Sequence, residues 1–227
     1  MTEITWIIDQ VTGALLMEGL TGGEASALAG DLLPLGQQFG CARPLTMLPP
    51  PAISDEDDVP VPCLRVAGYY HDSLIEGPGR RSSLIVVGCT IGCRGCWASS
   101  LHPEDIGASV PVDRLADALL DPAYKRDGVS FLGGEPLQQP EGLLALVQAL
   151  RARGCPHILV YSGYTYERLR RMAARRKVIG AILDSTDMLI DGPYVEQLAS
   201  EAGPWTGSGN QRVLVLEAGV PRPWPET

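Results

Sequence analysis

No apolar run in this sequence approaches the roughly twenty residues that a membrane-spanning helix requires, so no membrane partner is expected. The N-terminus lacks a basic stretch followed by an apolar core, so no secretory signal is expected and a cytoplasmic location is. Positive charge is scarce: 18 Lys and Arg against 27 Asp and Glu leave a net charge of −9. Nucleic-acid-binding proteins present a basic face, so no nucleic-acid partner is expected. Arg151, Arg153, Arg168, Arg170, Arg171, Arg175, Arg176 and Lys177 form a basic region, but its helical setting reads first as a solvated surface and only second as a dock for an acidic partner. Paired zinc-ligand spacing is missing as well, since His71 and His102 stand alone. What is present is 227 residues with 45% apolar content, enough for one main domain and an appendage.

Against that background the cysteines are unevenly placed. Cys89-Thr-Ile-Gly-Cys93-Arg-Gly-Cys96-Trp97 puts three thiols in one short window at C-x3-C-x2-C spacing. A cubane [4Fe–4S] cluster takes one thiolate per iron. Three thiolates from one loop leave an iron open to an outside ligand, which marks a metal site that does chemistry. Gly88, Gly92 and Gly95 allow the backbone to curl around a bulky core. Structural zinc prefers two spaced pairs of ligands, and a disulfide framework needs an oxidising compartment. Both stay open on the triplet alone, with iron–sulfur favoured. Cys41, Cys63 and Cys155 lack such spacing and read as small buried hydrophobes.

The triplet follows Ser83-Leu-Ile-Val-Val-Gly88, an apolar β-branched run that predicts a buried strand. Farther on, Val129-Ser-Phe-Leu132 predicts another strand, ending in Gly133-Gly134-Glu135-Pro136. Two glycines admit close backbone approach, and Glu135 can accept a charge-assisted hydrogen bond from an ammonium. Read alone, the segment is an ordinary tight turn. Its place after a strand and downstream of the triplet favours a polar cofactor.

Residues 1–47 predict a small α+β N-terminal extension, with strands at Ile4–Ile8 and Ala14–Met17 and a helix through Gly23–Ala29 capped by Thr21. Residues 48–63, with Pro49-Pro50-Pro51 and Asp55-Glu-Asp-Asp58, predict a stiff acidic linker. Residues 64–227 form the main domain. Strands are predicted at Leu64–Tyr70, Leu84–Val87, Val129–Leu132, His157–Tyr161, Met188–Ile190 and Val213–Leu216. Helices are predicted at Val112–Leu119, around Leu143, Val147 and Leu150, and over Tyr166–Arg176. This alternation implies an α/β fold with a parallel sheet, too short for a full eight-unit barrel.

The triplet and the glycine turn together resemble the radical SAM superfamily. The match is closest to its glycyl-radical-enzyme activating proteins, in particular those of anaerobic ribonucleotide reductase. Ser73-Leu-Ile-Glu-Gly-Pro-Gly79-Arg80, Tyr161-Ser-Gly-Tyr164-Thr165, Asp187-Met-Leu-Ile-Asp191-Gly-Pro-Tyr194 and Gly207-Ser-Gly-Asn210-Gln211-Arg212 extend it in order, from about Leu64 to about Leu216. The resemblance implies an open partial (β/α) barrel of radical SAM type. It implies a [4Fe–4S] cluster on Cys89, Cys93 and Cys96, and S-adenosyl-L-methionine on Gly133, Gly134, Glu135 and Pro136, with Trp97 beside the adenine or simply packed over the cluster. The implied activity is reductive cleavage of S-adenosylmethionine to a 5′-deoxyadenosyl radical, which takes a hydrogen atom from a glycine of a partner glycyl radical enzyme. A flavodoxin or ferredoxin is the implied electron donor. Two alternatives remain: a radical SAM enzyme acting on a small molecule or peptide, and a non-catalytic metal-binding partner protein. Gly95 stands where many superfamily members carry an aromatic residue, and the extension has no counterpart in the short activating proteins. Arg65-Val-Ala-Gly68-Tyr69 resembles the surroundings of a radical glycine but falls on a predicted strand, so Gly68 is read as a strand residue. Asp191, Asn210, Gln211 and Arg212 receive no role.

Overall fold

The computed structural model describes residues 5–8, 15–18, 48–49 and 62–224. The chain divides into two compact units, 1–47 and 48–227. In the first, β1 (Thr5–Ile8) pairs antiparallel with β2 (Leu15–Glu18), Thr5 lying opposite Glu18. Both strands fall where the apolar runs place them. The helix expected through Gly23–Ala29 and most of the expected linker lie outside the described residues.

The second unit is built on one eight-stranded sheet: β3 (Cys63–Ser73), β4 (Arg81–Val86), β5 (Ala108–Pro111), β6 (Gly128–Gly133), β7 (Ile158–Ser162), β8 (Met188–Asp191), β9 (Arg212–Glu217) and β10 (Val220–Pro223). The spatial order is β10-β9-β8-β7-β6-β4-β3-β5, so the sheet is open, with β10 and β5 outermost. β4, β6, β7 and β8 are parallel, whereas β3, β5, β9 and β10 pair antiparallel. A wholly parallel sheet was expected, and connection length explains the difference. Residues 74–80 are too few for the dozen or more that a parallel crossover needs, so β3 and β4 form a hairpin. Leu48 extends the pairing on β3 through reciprocal backbone bonds with Tyr69 at 2.6 and 3.1 Å.

Helices α1 (Val112–Leu119), α2 (Pro140–Ala152), α3 (Tyr166–Ala173) and α4 (Lys177–Asp184) supply the main core. Leu143, Val147 and Leu150 of α2 are all fully buried, as their i, i+4, i+7 spacing requires. They meet Leu84 and Val86 of β4, Phe131 of β6, and Ile158 and Val160 of β7. Each such side chain contributes about 1.5–3 kcal/mol by leaving water. The other face of the same strands carries Leu159, Met188 and Ile190 under Trp205 and Trp224, which meet edge to face at 5.4 Å. Both faces of β7 and β8 are therefore covered, which is why their sequences run apolar without alternation. Thr165 caps α3 by accepting from the Arg168 amide at 3.4 Å. The C-terminal ends of β4, β6, β7 and β8 gather the loops that follow.

Candidate cluster and cofactor site

β4 delivers the cysteine loop. Its amides at Gly88 and Cys89 donate to the carbonyls of Leu101 and His102 at 2.8 and 3.0 Å, and Cys96 N donates to Cys93 O at 3.3 Å. Gly88, Gly92 and Gly95 sit at φ of 88°, 67° and 70°, a left-handed conformation that coils the loop on itself. Cys89, Cys93 and Cys96 are unpaired thiols of intermediate exposure. Burial pushes the Cys89 and Cys96 thiols up, with the Glu135 carboxyl adding to the effect at Cys89. Among the described residues no three His, Cys, Asp or Glu side chains converge as a closed ion cage. The donor set nevertheless fits a cluster held at three corners: three reduced sulfurs on one glycine-coiled loop, each partly open to solvent. His71, considered as a fourth ligand, is engaged elsewhere, with Nδ1 2.8 Å from Ser82 Oγ and its ring stacked on Tyr124 at 4.0 Å. Cys155 is buried as expected, but Cys63 heads β3 and is exposed. Cys41 lies outside the described residues.

The glycine turn lies directly against this loop. Gly134 N donates to Val86 O and Glu135 N donates to Gly88 O, both at 2.8 Å. A Cβ on Gly133, whose φ is 108°, would stand 2.5 Å from Val86 O, and one on Gly134 would stand 2.5 Å from Gly88 O. Both glycines are thus demanded by contact with the segment leading into the cysteines. Glu135 is 1% exposed. Its Oε1 accepts from Leu137 N at 3.0 Å, its Oε2 accepts from Gly163 N at 2.8 Å, and the Ser162 hydroxyl bridges the two oxygens at 3.0 and 3.1 Å. Burial pushes this carboxyl up to about 7, against the pull of those donors. Pro136 follows, buried at the first position of a short 3-10 turn.

Two residues that sequence reasoning missed tie these parts together. Gln138 accepts from Thr90 N at 3.0 Å and donates to Thr90 Oγ1 at 2.8 Å and Tyr164 Oη at 2.7 Å. Gln139 donates to the carbonyls of Arg65 and Val87 at 3.0 Å each, and accepts from Arg65 N at 2.8 Å. The only hint in the sequence is their position just after the glycine turn.

The β8 side closes the group. Asp191 is fully buried, accepting from Tyr166 N at 2.6 Å and from Arg212 at 2.9 and 2.5 Å. Arg212 also reaches Glu167, which holds that exposed carboxyl down at about 2. Gln211 links Gly192 O to the amides of Gly207 and Ser208, and Asn210 donates to Pro193 O at 2.8 Å. These four side chains staple the turns after β8 to the segment before β9. Trp97 is 43% exposed, its indole nitrogen 3.7 Å from where a Gly207 Cβ would stand. On the same loop a Cβ at Gly95 would meet the Glu196 carboxyl at 2.6 Å, so the space that an aromatic side chain would need is filled. Gly68 is buried within β3, opposite Ile85 of β4.

Comparison with known proteins agrees with this arrangement. The family model for the 4Fe-4S single cluster domain matches residues 75–214. The anaerobic ribonucleoside-triphosphate reductase-activating protein of Escherichia coli K12 is 36% identical over 152 residues, covering 64% of this chain and 94% of that protein. The protein of the same name from Haemophilus influenzae is 34% identical over 150 residues, 63% of this chain and 92% of its own length. That of phage T4 is 30% identical over 156 residues, at 66% and 94%. With nearly the whole of each relative matched and the cysteine loop and glycine turn in direct contact, this chain belongs to the anaerobic ribonucleoside-triphosphate reductase-activating protein family.

Proposed function

We propose that this chain is a radical SAM activating enzyme that generates the glycyl radical of an anaerobic ribonucleotide reductase. Cys89, Cys93 and Cys96 hold a [4Fe–4S] cluster, and Gly133, Gly134, Glu135 and Pro136 form the turn that receives S-adenosylmethionine. The observation that carries the reading is the pair of 2.8 Å bonds, Gly134 N to Val86 O and Glu135 N to Gly88 O, which set the cofactor turn against the cluster loop. When bound, the cluster and S-adenosylmethionine together supply a 5′-deoxyadenosyl radical able to take a hydrogen atom from glycine. The chain's own part is to bind, orient and shield. The loop glycines bring backbone close to both groups, Trp97 flanks the loop, and the buried turn excludes water. The open sheet supports a partial barrel of radical SAM type, with residues 1–47 as a separate unit that recognises or covers the substrate. A cytoplasmic setting with a flavodoxin or ferredoxin as reductant completes the reading.

Anaerobic reconstitution followed by strong reduction tests it. Methionine and 5′-deoxyadenosine should appear, and a glycyl radical signal should appear when the partner reductase is added. Stoichiometric zinc with no iron, or intact S-adenosylmethionine after reduction, would overturn it.

A further inference from the structure

We propose that the turn Ser162–Tyr164 and Gln138 form a bracket that sets the shape of the cysteine loop, with Glu135 as its buried anchor, making Glu135, Gln138 and Tyr164 positioning residues. Two residues inside the loop, Thr90 and Ile91, lie between Cys89 and Cys93, and the bracket grips both. Gln138 makes two bonds to Thr90, one to its amide and one to its hydroxyl, and a third to Tyr164 Oη. Ile91 packs on Gly163 so closely that a Cβ there would stand 2.6 Å from its Cδ1. Fixing Thr90 and Ile91 fixes the separation of the first two thiols, which no contact between the sulfurs does.

The bracket is in turn held from below. Gly163 N and the Ser162 hydroxyl both donate to Glu135, and the same hydroxyl accepts from Tyr164 N at 3.1 Å. Since the Glu135 amide donates to Gly88 O, the path from Gly88 through Glu135, the 162–164 turn, Gln138 and Thr90 closes a ring around three strand ends. A buried carboxylate whose oxygens already face three donors of its own chain has little capacity left for a ligand ammonium. Its side chain therefore acts through the loop. Arg168, its guanidinium 4.5 Å from the centroid of the Tyr164 ring, covers that ring from the solvent side.

The inference rests on the reading that the three cysteines hold a cluster, but it is tested without one. Hydrogen exchange of the full-length apoprotein is followed at residues 88–97 and, for control, in α1 and α2. Tyr164→Phe should speed exchange in 88–97 by roughly fivefold, the factor that one ordinary hydrogen bond supplies, and Gln138→Ala, which loses both bonds to Thr90, by more, while α1 and α2 keep their rates. Gln138→Glu, whose carboxylate can accept from both Thr90 N and Tyr164 Oη, should restore most of the protection. After reconstitution, the two disruptive variants should release iron to a chelator several-fold faster than wild type, and Gln138→Glu should release it more slowly than Gln138→Ala. Unchanged exchange in 88–97, or faster exchange spread equally over α1 and α2, would overturn the bracket. If the variants show the local exchange effect yet the reconstituted wild-type protein never cleaves S-adenosylmethionine, the bracket stands and the functional reading falls.

Discussion

The two ends of the parallel strands are held by different means. At the C-terminal ends of β4, β6 and β7, backbone amides, close-packed glycines and one buried carboxyl, Glu135, join Val86–Ile91, Gly133–Gln139 and Ser162–Tyr164, each neutral link worth about 1 kcal/mol net. At the N-terminal end sits Arg81, 1% exposed, whose guanidinium donates to Ser130 Oγ at 2.5 Å, Pro78 O at 3.0 Å and Val129 O at 2.8 Å, and lies 3.1 Å from His157 Nδ1. Nearby, Glu76 accepts from Tyr70 Oη at 2.6 Å and its carbonyl accepts from Ser130 Oγ at 2.6 Å. A buried charge with dedicated partners is costly to disturb, whereas a mesh of single amide bonds yields piece by piece. Apart from Glu135 and the Asp191–Arg212 pair, the end proposed to admit a metal group and a cofactor is built from the yielding kind.

The sharpest way to break this contrast is to remove chemistry without removing stability. Cys89→Ala, Cys93→Ala and Cys96→Ala should each lose most of the iron after reconstitution. Yet the unfolding free energy of each apoprotein in urea should move by no more than about 0.5 kcal/mol, as for other partly exposed sites. Cys155→Ala should keep its iron.

The converse is Arg81→Met, which takes their charged donor from the buried Val129 carbonyl and Ser130 hydroxyl and from the partly buried Pro78 carbonyl. A loss of about 3–5 kcal/mol is expected in urea unfolding. A loss below about 1 kcal/mol would erase the distinction between the two ends.

The pH dependence comes next. Burial pushes Glu76 up to about 7 from 4.5 among Tyr70, Ser83, Arg81 and Tyr161. Its stabilising contribution is whole below pH 4.5, where the group is protonated in both states. It is lost as pH rises toward 7, because the unfolded chain releases its proton first. A loss on the order of 3 kcal/mol between pH 5 and 8 is the upper expectation at 1.36 kcal/mol per unit. Glu135 acts in the same direction, so Glu76→Gln should remove only part of the slope of melting temperature against pH.

Among the changes to the packed interior, the smallest effect on stability should come from Gly134→Ala, where a methyl meets Gly88 O. A cost of about 1–3 kcal/mol is expected, but S-adenosylmethionine affinity of the reconstituted protein should fall much more than unfolding data would suggest.

Much of the second unit was legible because its signals are local. The apolar runs marked β4 and β6 to β9, and the spacing of Leu143, Val147 and Leu150 marked α2. The cysteine and glycine segments declared themselves by composition. Three elements were missed for physical reasons. β5 (Ala-Ser-Val-Pro) and β10 (Val-Pro-Arg-Pro) are short and rich in proline, so they read as loop. The charges of Arg175, Arg176 and Lys177 hid the start of α4, whose buried Ile179, Ile182 and Leu183 carry a helical pattern of their own. The site was half legible. Gln138 and Gln139 act on residues 26 to 74 positions away, and an uncharged amide gives no periodic or compositional trace of such a contact. Asp191 and Arg212 resisted assignment because their partner is each other.

The composition of β5 and β10 has a consequence for assembly. They are the outermost strands of an open sheet, the place where a neighbour's chain could pair and start aggregation or templated growth. Pro221 and Pro223 leave β10 with two amide donors in four residues, and Pro111 ends β5. With both margins only four residues long and β10 short of donors, a visiting polypeptide gains little by lying alongside as an extra strand.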